Sequence, residues 1–459
     1  MSRRNCSICS GRRSIYLIPK SPEIQENRKK KTSPHIGSSS FCHSVQFEAF
    51  SLIQLATTIK DGKRFKSRIG IYSSSSIVFY GGGEVIAIQV ANHLVESGYN
   101  VTTYSDAKYK GRVRLPVSEI NTILKSRHIF VPYESSGQLF IPAFLYQPLP
   151  SVEELNDNDV NLVFLYRLPR RSYLTNLVKK GKSKCVFLLH GIVFDQSDSG
   201  SLRVLLYQLY LKFLFKRNAR LYNSSKFFFQ LFSKSNRDFL LSNGINSQNI
   251  FIIPNGTDFK KYAVGRNDNE FIVIFLGRLN PLQKGLKLLK NIIYRTALLG
   301  KAGMAFSIVG TGPASGDLEN LAASHNNVEY KGFISENEKV NQLSNANLLI
   351  LTSNIEPFPL SVIEGLASGL PVVTTPVSGA VTMMSFSQNF GTVSAFDEDS
   401  FLSAILNYYD AWVQDKNSYH EKKIRRRELA ADFFNLDKML AGYESMIKSL
   451  MGLTSEGDE

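Results

Sequence analysis

The chain has 459 residues with an ordinary globular composition, 43% hydrophobic and 20% charged, and its length leads us to expect two large domains. Its net charge of +15 comes largely from residues 1–66, which hold 13 Lys/Arg against 4 Asp/Glu. No nucleic-acid-reading motif accompanies this basic segment, so we expect no nucleic-acid partner. No uninterrupted apolar stretch approaches the roughly 20 residues of a membrane span.

Residues 1–66 form a basic extension that we predict to be disordered. Its stretch "ENRKKKTSPHIGSSS" buries too little apolar surface to offset the entropy that ordering would remove. A presequence and a mis-assigned start codon are open alternatives, although Glu23, Glu26 and the missing apolar core argue against a secretory signal.

The four cysteines, Cys6, Cys9, Cys42 and Cys185, give no disulfide framework for a chain of this length. This fits a reducing compartment, and we expect a cytoplasmic protein. "CSIC" with Cys42 and His43 offers ligands for a zinc site, but adjacent ligands are geometrically awkward. We therefore expect free thiols and no metal.

The first structured stretch predicts a βαβ unit of a parallel sheet. "RIGIYSSSSIVFYGGGEVIAIQVANHLVESGYNVTTYS" reads as a buried strand, a turn at Gly81–Gly83, an amphipathic helix ending near Gly98 and a second strand. "VNLVFLYRLP" and "KCVFLLHG" add buried strands. The pattern restarts after "IFIIPNGTDFKKY", so we predict a domain boundary at residues 260–268.

Residues 201–234 interleave Leu, Tyr and Phe with cations such as Arg203, Lys212 and Arg220. Such a surface is typical of a segment that docks on anionic lipid, which would hold the protein peripherally at the cytoplasmic face of a membrane. The pattern is also typical of two helices with one face in the core. Both interpretations stay open.

Beyond the boundary, "MAFSIVG", "NVEYKGF", "NLLILTS" and "LPVVTTP" predict strands that alternate with helices. This pattern is typical of a second doubly wound α/β sheet, and ligands bind such sheets at the carboxyl ends of their strands. The final helix, "DKMLAGYESMIKSLM", has one apolar face, which needs a packing partner. We therefore predict an active site in a cleft between two α/β domains.

Two strand-to-helix turns of the second domain carry candidate ligand-binding residues. "GRLNPLQKG" places Arg278 and Lys284 near a helix N-terminus, where two cations suit a diphosphate. Solvated surface cations are the alternative. In "IVGTGPASG", Gly310 and Gly312 let the backbone approach a ligand, although glycines at such turns also serve packing.

The stretch "EPFPLSVIEGLASGL" holds Glu356 in the loop after a strand and Glu364 in the helix that follows. The free N–H groups of that helix should point into the cleft. Glu364 stands among apolar residues, and a carboxylate in apolar company needs a partner. One carboxylate could face a sugar or a reacting centre while the other holds a more distant hydroxyl.

Residues 67–450 resemble the retaining GT-B glycosyltransferases of glycosyltransferase family 4. That family carries two glutamates separated by seven residues, here Glu356 and Glu364. Further segments agree in order and spacing: "GGGE", "LLHG", "IIPNGTD", "GRLNPLQKG", "VGTGP", "YKGF" and "GLPVV". Pro359 stands where many members have glycine, and "VSGA" replaces a commoner double-glycine loop.

The resemblance implies roles for residues in the second domain. Arg278 and Lys284 would bind the diphosphate of a UDP- or GDP-linked sugar, and Glu364 would bind the ribose. Gly332 through Ile334 would flank the base. Glu356 would hold and electrostatically stabilise the donor sugar, together with the backbone after it, at Phe358 and Leu360.

The resemblance also implies roles for the first domain and for the chain as a whole. His190 would face the sugar, and Gly82 and Gly83 would approach the phosphate or the acceptor, which is a glycan, a lipid-linked molecule or a small molecule. The expected domains are 67–262 on the acceptor side, 263–430 on the donor side, and 431–459 as a helix crossing back to the first domain with an acidic tail. The transfer would be hexosyl, with retention of configuration, no cofactor and no metal.

Three other interpretations compete. Asp157 and Asp159 form a DxD as in metal-dependent GT-A enzymes, but the pair precedes its strand. Gly81–Gly83 with Asp106 resembles a nicotinamide-dinucleotide fingerprint, but Ile86 occupies the third glycine position. A catalytically inactive binder of sugar nucleotides, or a scaffold, is the third.

Overall fold

The computed structural model describes residues 67–73, 77–79, 81–106, 116–131, 133, 147, 149–190, 192, 202–301 and 303–453, with the side chains of 79 and 202–205 left aside. The predicted extension at 1–66, with its candidate zinc ligands, and the acidic residues of 454–459 lie outside the described residues.

The first half of the chain folds as a seven-stranded parallel sheet with helices between the strands. Its strands are β1 (Arg68–Tyr72), β2 (Asn100–Asp106), β3 (Arg127–Val131), β4 (Val160–Phe164), β5 (Lys184–Leu188), β6 (Phe227–Leu231) and β7 (Ile250–Ile252). Its helices are α1 (Gly82–Glu96), α2 (Val117–Ile123), α3 (Val152–Leu155), α4 (Arg171–Lys180), α5 (Leu202–Tyr222) and α6 (Lys234–Ser242). The strand order is β3-β2-β1-β4-β5-β6-β7.

The second half repeats this architecture with six parallel strands. They are β8 (Phe271–Leu276), β9 (Met304–Val309), β10 (Val328–Gly332), β11 (Leu348–Leu351), β12 (Val372–Thr374) and β13 (Gly391–Val393). The helices are α7 (Pro281–Lys284), α8 (Leu286–Leu298), α9 (Ser315–Ser324), α10 (Glu336–Asn345), α11 (Leu360–Ala367), α12 (Ser378–Ser385), α13 (Glu398–Gln414), α14 (Lys416–Phe434) and α15 (Leu436–Met451). The strand order is β10-β9-β8-β11-β12-β13.

All strands are parallel, but in each sheet successive strands are added first on one side and then on the other. The change of side falls between β1 and β4 in the first sheet and between β8 and β11 in the second. At such a switch point the loops after the two neighbouring strands diverge and leave a crevice, where ligands of α/β proteins bind. The central strands β4 and β11 are buried along their whole length, as parallel strands covered on both faces should be. The predicted pair of doubly wound sheets is confirmed.

One secondary-structure prediction is wrong. Residues 201–234 do not form two helices, because α5 ends at Tyr222 and "FFFQL" is strand β6. Phe227 and Phe229 are fully buried in the first domain's core, and aromatic side chains fit the half-buried surface of a sheet.

The final helix crosses back to the first domain, as predicted. Its residues Met439, Tyr443 and Ile447 are buried in one cluster with Ile69 of β1 and Val90 of α1. The chain therefore passes between the domains twice.

The two passages are hydrogen-bonded to each other. Thr257 N–H donates to Phe434 O at 2.9 Å, and Leu436 N–H donates to Thr257 O at 2.9 Å. A side chain at Gly256 would place its Cβ 2.6 Å from Asn435 O, so this close approach requires glycine. The two passages thus form one connection.

The packing of α15 predicts that Ile447→Ala destabilises the protein by about 2–5 kcal/mol, because Ile447 is fully buried and truncation leaves a cavity. Urea unfolding followed by circular dichroism measures this cost. Leu453→Ala is the matched control, since Leu453 is 53% exposed, and it should change stability by less than about 0.5 kcal/mol. Equal costs for the two variants would mean that α15 is not packed on the first domain.

Candidate active site

The loops after β8 and β11 join into one unit at the switch point of the second sheet. Asn280 caps α7 by accepting from Leu282 N–H at 3.0 Å. The loop after β11 binds this turn, because Asn354 N–H donates to Gln283 O at 2.8 Å and Thr352 Oγ1 donates to Lys284 O at 2.8 Å. These hydrogen bonds fix Lys284 beside the loop that carries Glu356.

Lys284 and Glu356 form an ion pair inside this unit. Lys284 Nζ lies 2.5 Å from Glu356 Oε2, and the side chains are 9% and 14% exposed. The resemblance implied that Lys284 binds the diphosphate of the donor and that Glu356 holds its sugar. In the structure the two side chains are paired with each other. Since their charges cancel, the pair fixes two polar side chains at the cleft and adds no net charge to it.

Arg278 is the exposed cation of the same region. No carboxylate of the described residues lies within ion-pair distance of it. A side chain at Gly81 of the first domain would place its Cβ 3.1 Å from Arg278 Nη2. The guanidinium group therefore reaches across to the loop that opens α1.

Two helix N-termini meet beside Arg278. Gly82 and Gly83 are the first residues of α1, not part of a separate loop, and a Cβ at Gly82 would lie 3.2 Å from Leu360 Cδ1 at the start of α11. A Cβ at Gly83 would lie 3.1 Å from the hydroxyl oxygen of Tyr166. Within the described parts of the chain, neither Leu360 N–H nor Ser361 N–H has a hydrogen-bond acceptor. The carboxyl of Glu84 already accepts from Gly81 N–H at 3.0 Å at the start of α1, so the guanidinium group and the free N–H groups of α11 are the features that suit a bound anion.

Glu364 has the partner that its apolar surroundings require. Lys339 Nζ of α10 donates to its Oε1 at 2.7 Å, and the side chain of Tyr262, in the connection between the domains, lies near it. Burial raises the pKa of Glu364, and the charge of Lys339 opposes part of that shift. Burial alone would lower the pKa of Lys339, but Glu364, Tyr262 and Glu336 more than offset this and raise it.

Gly310 and Gly312 have a packing reason of their own. A Cβ at Gly310 would lie 1.8 Å from Gly277 O, and one at Gly312 would lie 2.5 Å from Leu279 O. The φ of Gly310 is 141°, which also favours glycine. These residues let the loops after β8 and β9 approach closely, while their contact with a ligand stays a prediction.

Phe358 and Ile334 belong to one apolar cluster of the second domain. Phe358 is buried and stacks on Phe232 of the first domain, with ring centroids 4.9 Å apart and planes 21° from parallel. Ile334 is partly buried against the same cluster as Phe358. An aromatic pair of this geometry contributes about 0.5–1.5 kcal/mol beyond area burial, so it helps to hold the two domains together.

His190 lies at the end of β5 between two aromatic rings. Phe164 and Phe232 each have a ring centroid 4.7 Å from the imidazole centroid. Its Nε2 lies 3.0 Å from Gln230 Oε1 and 3.4 Å from the hydroxyl oxygen of Tyr443 on α15. Burial lowers the pKa of His190 to about 3, although the Gln230 hydrogen bond opposes this.

The tautomer of His190 follows from Gln230. The side-chain amide of Gln230 donates to Leu231 O at 3.0 Å and to Ile253 O at 2.6 Å, so its Oε1 must accept. Nε2 of His190 therefore carries the proton, and Nδ1 is left as an acceptor. His190 is suited to accept a hydrogen bond and not to carry charge.

Asp157 and Asp159 lie near the amino ends of the strands of the first sheet, away from the carboxyl ends where the cleft opens. Asp159 Oδ2 accepts from Arg68 N–H at 2.8 Å, at the amino ends of β1 and β4. The described residues contain no group of three or more His, Cys, Asp or Glu side chains placed to hold a metal. Among the helices of the described ranges, none has the length and apolarity needed to cross a membrane.

Comparison with known sequences finds similarity within the second domain. Residues 270–411 match the family model for "Glycosyl transferases group 1". The chain is 25% identical over 183 residues to UDP-Gal:alpha-D-GlcNAc-diphosphoundecaprenol alpha-1,3-galactosyltransferase of Escherichia coli, which covers 36% of this chain and 46% of the relative. It is 32% identical over 108 residues to the sulfoquinovosyl transferase SQD2 of Arabidopsis thaliana, which covers 24% and 20%. The chain thus spans less than half the length of these curated relatives.

Comparison with solved structures covers both domains. Sucrose-phosphate synthase from Thermosynechococcus elongatus superposes with a TM-score of 0.61 and 16% identity, over 85% of this chain and all of that one. Anabaena HepE in complex with UDP and glucose superposes with a TM-score of 0.60 and 16% identity, over 83% and 100%. At these identities the likeness establishes the fold, and the predicted GT-B architecture is confirmed.

The buried ion pair predicts that Lys284→Met destabilises the protein by about 3 kcal/mol, because Glu356 is left charged and unpaired. The double replacement Lys284→Met, Glu356→Gln should recover at least half of this loss in urea unfolding. Lys290→Met is the matched control, since its partner Asp317 is 65% exposed, and it should cost less than about 1 kcal/mol. Equal costs for Lys284→Met and Lys290→Met would contradict the pairing.

The surroundings of His190 predict an imidazole that stays neutral from pH 8 to pH 5. Its pKa of about 3 lies below that of an exposed histidine, so protonation begins only as the pH falls well under 5. NMR of the chain with ¹³C-labelled histidine measures this, and a His190→Gln variant assigns the resonance. A titration midpoint near pH 6.5 would show that the ring is not desolvated.

Proposed function

We propose that this chain, which has the GT-B fold and whose residues 270–411 match the family model for group 1 glycosyl transferases, is a glycosyltransferase that moves a hexosyl group from a UDP- or GDP-linked sugar to an acceptor with retention of configuration. The observation that carries this is the junction of Arg278 with the first turns of α1 and α11. It offers a fixed positive site for a diphosphate, directly beside the Lys284–Glu356 pair.

The donor would lie along the second domain in a defined order. Its diphosphate would bind Arg278, Lys284 and the N–H groups of Leu360 and Ser361. The ribose hydroxyls would bind Glu364, about one helical turn further along α11, with the base toward Gly332 through Ile334. Glu364 is already oriented by Lys339, which the resemblance did not include.

The chemistry would depend on the leaving group. The bond between the anomeric carbon and the diphosphate oxygen breaks, the diphosphate keeps the electron pair, and the acceptor hydroxyl forms the new bond while its proton passes to the departing diphosphate. Arg278 and the N-terminus of α11 would stabilise the negative charge that develops on the diphosphate. Glu356 would position the sugar and stabilise its positive charge, and neutral His190 would accept a hydrogen bond from a sugar hydroxyl.

The relatives support a nucleotide sugar and suggest the class of acceptor. HepE is described in complex with UDP and glucose, and the name of the Escherichia coli relative includes a UDP-linked donor and a diphosphoundecaprenol acceptor. We therefore propose a glycan or a lipid-linked molecule as the acceptor here. A reducing, cytoplasmic location is part of the proposal, since Cys185 is a buried free thiol.

A donor screen tests the function. The full chain is incubated with UDP- and GDP-linked hexoses, with and without a lipid acceptor extract, and nucleoside diphosphate release is measured. We expect release with at least one donor. Donor binding without release, with or without the acceptor extract, would instead identify a catalytically inactive binder.

Two variants test the residues that we propose to bind the donor. Arg278→Ala and Glu364→Ala should each weaken nucleoside diphosphate binding about tenfold or more in calorimetry, because each removes a charge-assisted hydrogen bond. Arg425→Ala removes another exposed arginine, on α14, and should leave binding unchanged. Full affinity in Glu364→Ala would contradict the ribose assignment.

A further inference from the structure

The outward face of α5 carries large apolar side chains that the described residues leave exposed. Leu206, Leu209 and Phe213 are 56%, 52% and 56% exposed, and their spacing of three and four residues places them on one stripe of the helix. Arg217 lies over the ring of Phe213, 5.2 Å from its centroid. Three large exposed side chains in one stripe form a patch, whereas single exposed apolar residues need no explanation.

The same face is strongly basic. Lys212, Lys216 and Arg220 are exposed on α5, and the helix contains no acidic residue. Between Val160 and Arg237 the only acidic residues in the sequence are Asp195 and Asp198. The positive charge of this face is therefore not neutralised by carboxylates of its own helix.

The inner face fixes α5 to the domain. Leu211, Leu214 and Phe215 are buried in the core of the first domain. Arg171 at the start of α4 donates to Asn218 Oδ1 at 3.0 Å and to Arg217 O at 2.5 Å. The exposed stripe is thus a surface of a firmly packed helix.

We propose that the α5 face, defined as Leu206, Leu209, Lys212, Phe213, Lys216 and Arg220, docks on a bilayer that contains anionic phospholipid. Basic residues beside large apolar residues on one face of a helix match the negative head groups and the hydrocarbon boundary of such a surface. The charge favours lipid over a second copy of this chain, because two copies of the basic face would repel each other.

Docking in this way would bring the cleft close to the lipid. The strand β5 ends at Leu188, and α5 is the next helix among the described residues, so its first turns lie toward the carboxyl ends of the strands, where the cleft opens. This part rests on the proposed function, because a lipid-linked acceptor would then reach the cleft from the membrane surface. Vesicle binding itself does not require transferase activity.

Co-sedimentation of the full chain with vesicles tests the docking. We expect binding to phosphatidylcholine vesicles that contain phosphatidylglycerol, weaker binding as salt is raised, and little binding to phosphatidylcholine alone. Leu209→Ser with Phe213→Ser, and separately Lys212→Glu with Lys216→Glu, should each lower the partition coefficient about tenfold or more.

Matched controls carry the same changes elsewhere on the surface. Leu298→Ser with Leu299→Ser removes two leucines that are 87% and 52% exposed, and Lys422→Glu with Arg425→Glu reverses two exposed cations on α14. These variants should bind as the unchanged chain does. Equal binding by the α5 variants and the controls would overturn the proposal and point to the basic residues 1–66.

Tryptophan fluorescence gives a readout of insertion. The single natural tryptophan, Trp412, is 5% exposed, so its emission should stay constant. Phe213→Trp should shift to shorter wavelength and resist aqueous quenchers when anionic vesicles are added, whereas Leu298→Trp should not. The absence of a shift at position 213 would overturn membrane docking and leave electrostatic attraction alone. A dimer in size-exclusion chromatography that Leu209→Ser with Phe213→Ser abolishes would overturn it in favour of self-association.

Discussion

The reversal of strand order in the second sheet is the constraint on which the cleft depends. Because β8 and β11 are neighbours, the loops that follow them start side by side, and a backbone hydrogen bond from Asn354 to Gln283 joins them. The Lys284–Glu356 ion pair adds a second, largely buried contact between the two loops. A change in either loop is therefore transmitted to the other, since a buried charge that loses its partner is costly.

Contacts of different kinds hold the two domains together. Leu360, the first residue of α11, is partly buried against the cores of both domains, and Phe358 stacks on Phe232. On the other side, α15 adds its apolar face to the first domain's core. The pair of chain passages at Thr257 and Leu436 lies between these contacts. Closure of the cleft would have to rearrange the aromatic and Leu360 contacts while this connection stays intact.

Much of the fold could be predicted from the sequence because its central strands are short apolar runs, as in "VNLVF" and "LLIL". Three strands were not predicted. Two of them, β3 and β13, lie at sheet edges, and the third, β6, lies in the stretch 201–234 that was assigned to helices. The edge strand β13, "GTV", is short and largely exposed, and β3, "RHIFV", is only partly buried. Neither carries the continuous apolar signal of a strand covered on both faces.

The candidate site was predictable in its residue types but not in its pairings. Glu364 stood out because a carboxylate among apolar residues needs a partner, yet Lys339 and Tyr262 could not be named, since only the packing of α10 and the domain connection brings them there. The same holds for His190, whose partners Gln230 and Tyr443 are 40 and 253 residues away in the chain. Sequence spacing identifies residues on one element, whereas these contacts join different elements.

The distribution of charge in the cleft has a consequence for the proposed chemistry. Lys284 is neutralised by Glu356, Glu364 by Lys339, and His190 is held neutral by burial. Arg278 and the N-terminus of α11 are then the main sources of positive potential at the cleft, because the carboxyl of Glu84 already accepts from Gly81 N–H at the start of α1. Since a fixed charge stabilises the state in which the opposite charge is largest, this potential would act more on a departing diphosphate than on the intact donor. The neutral groups around it would orient the sugar and the ribose without opposing that effect.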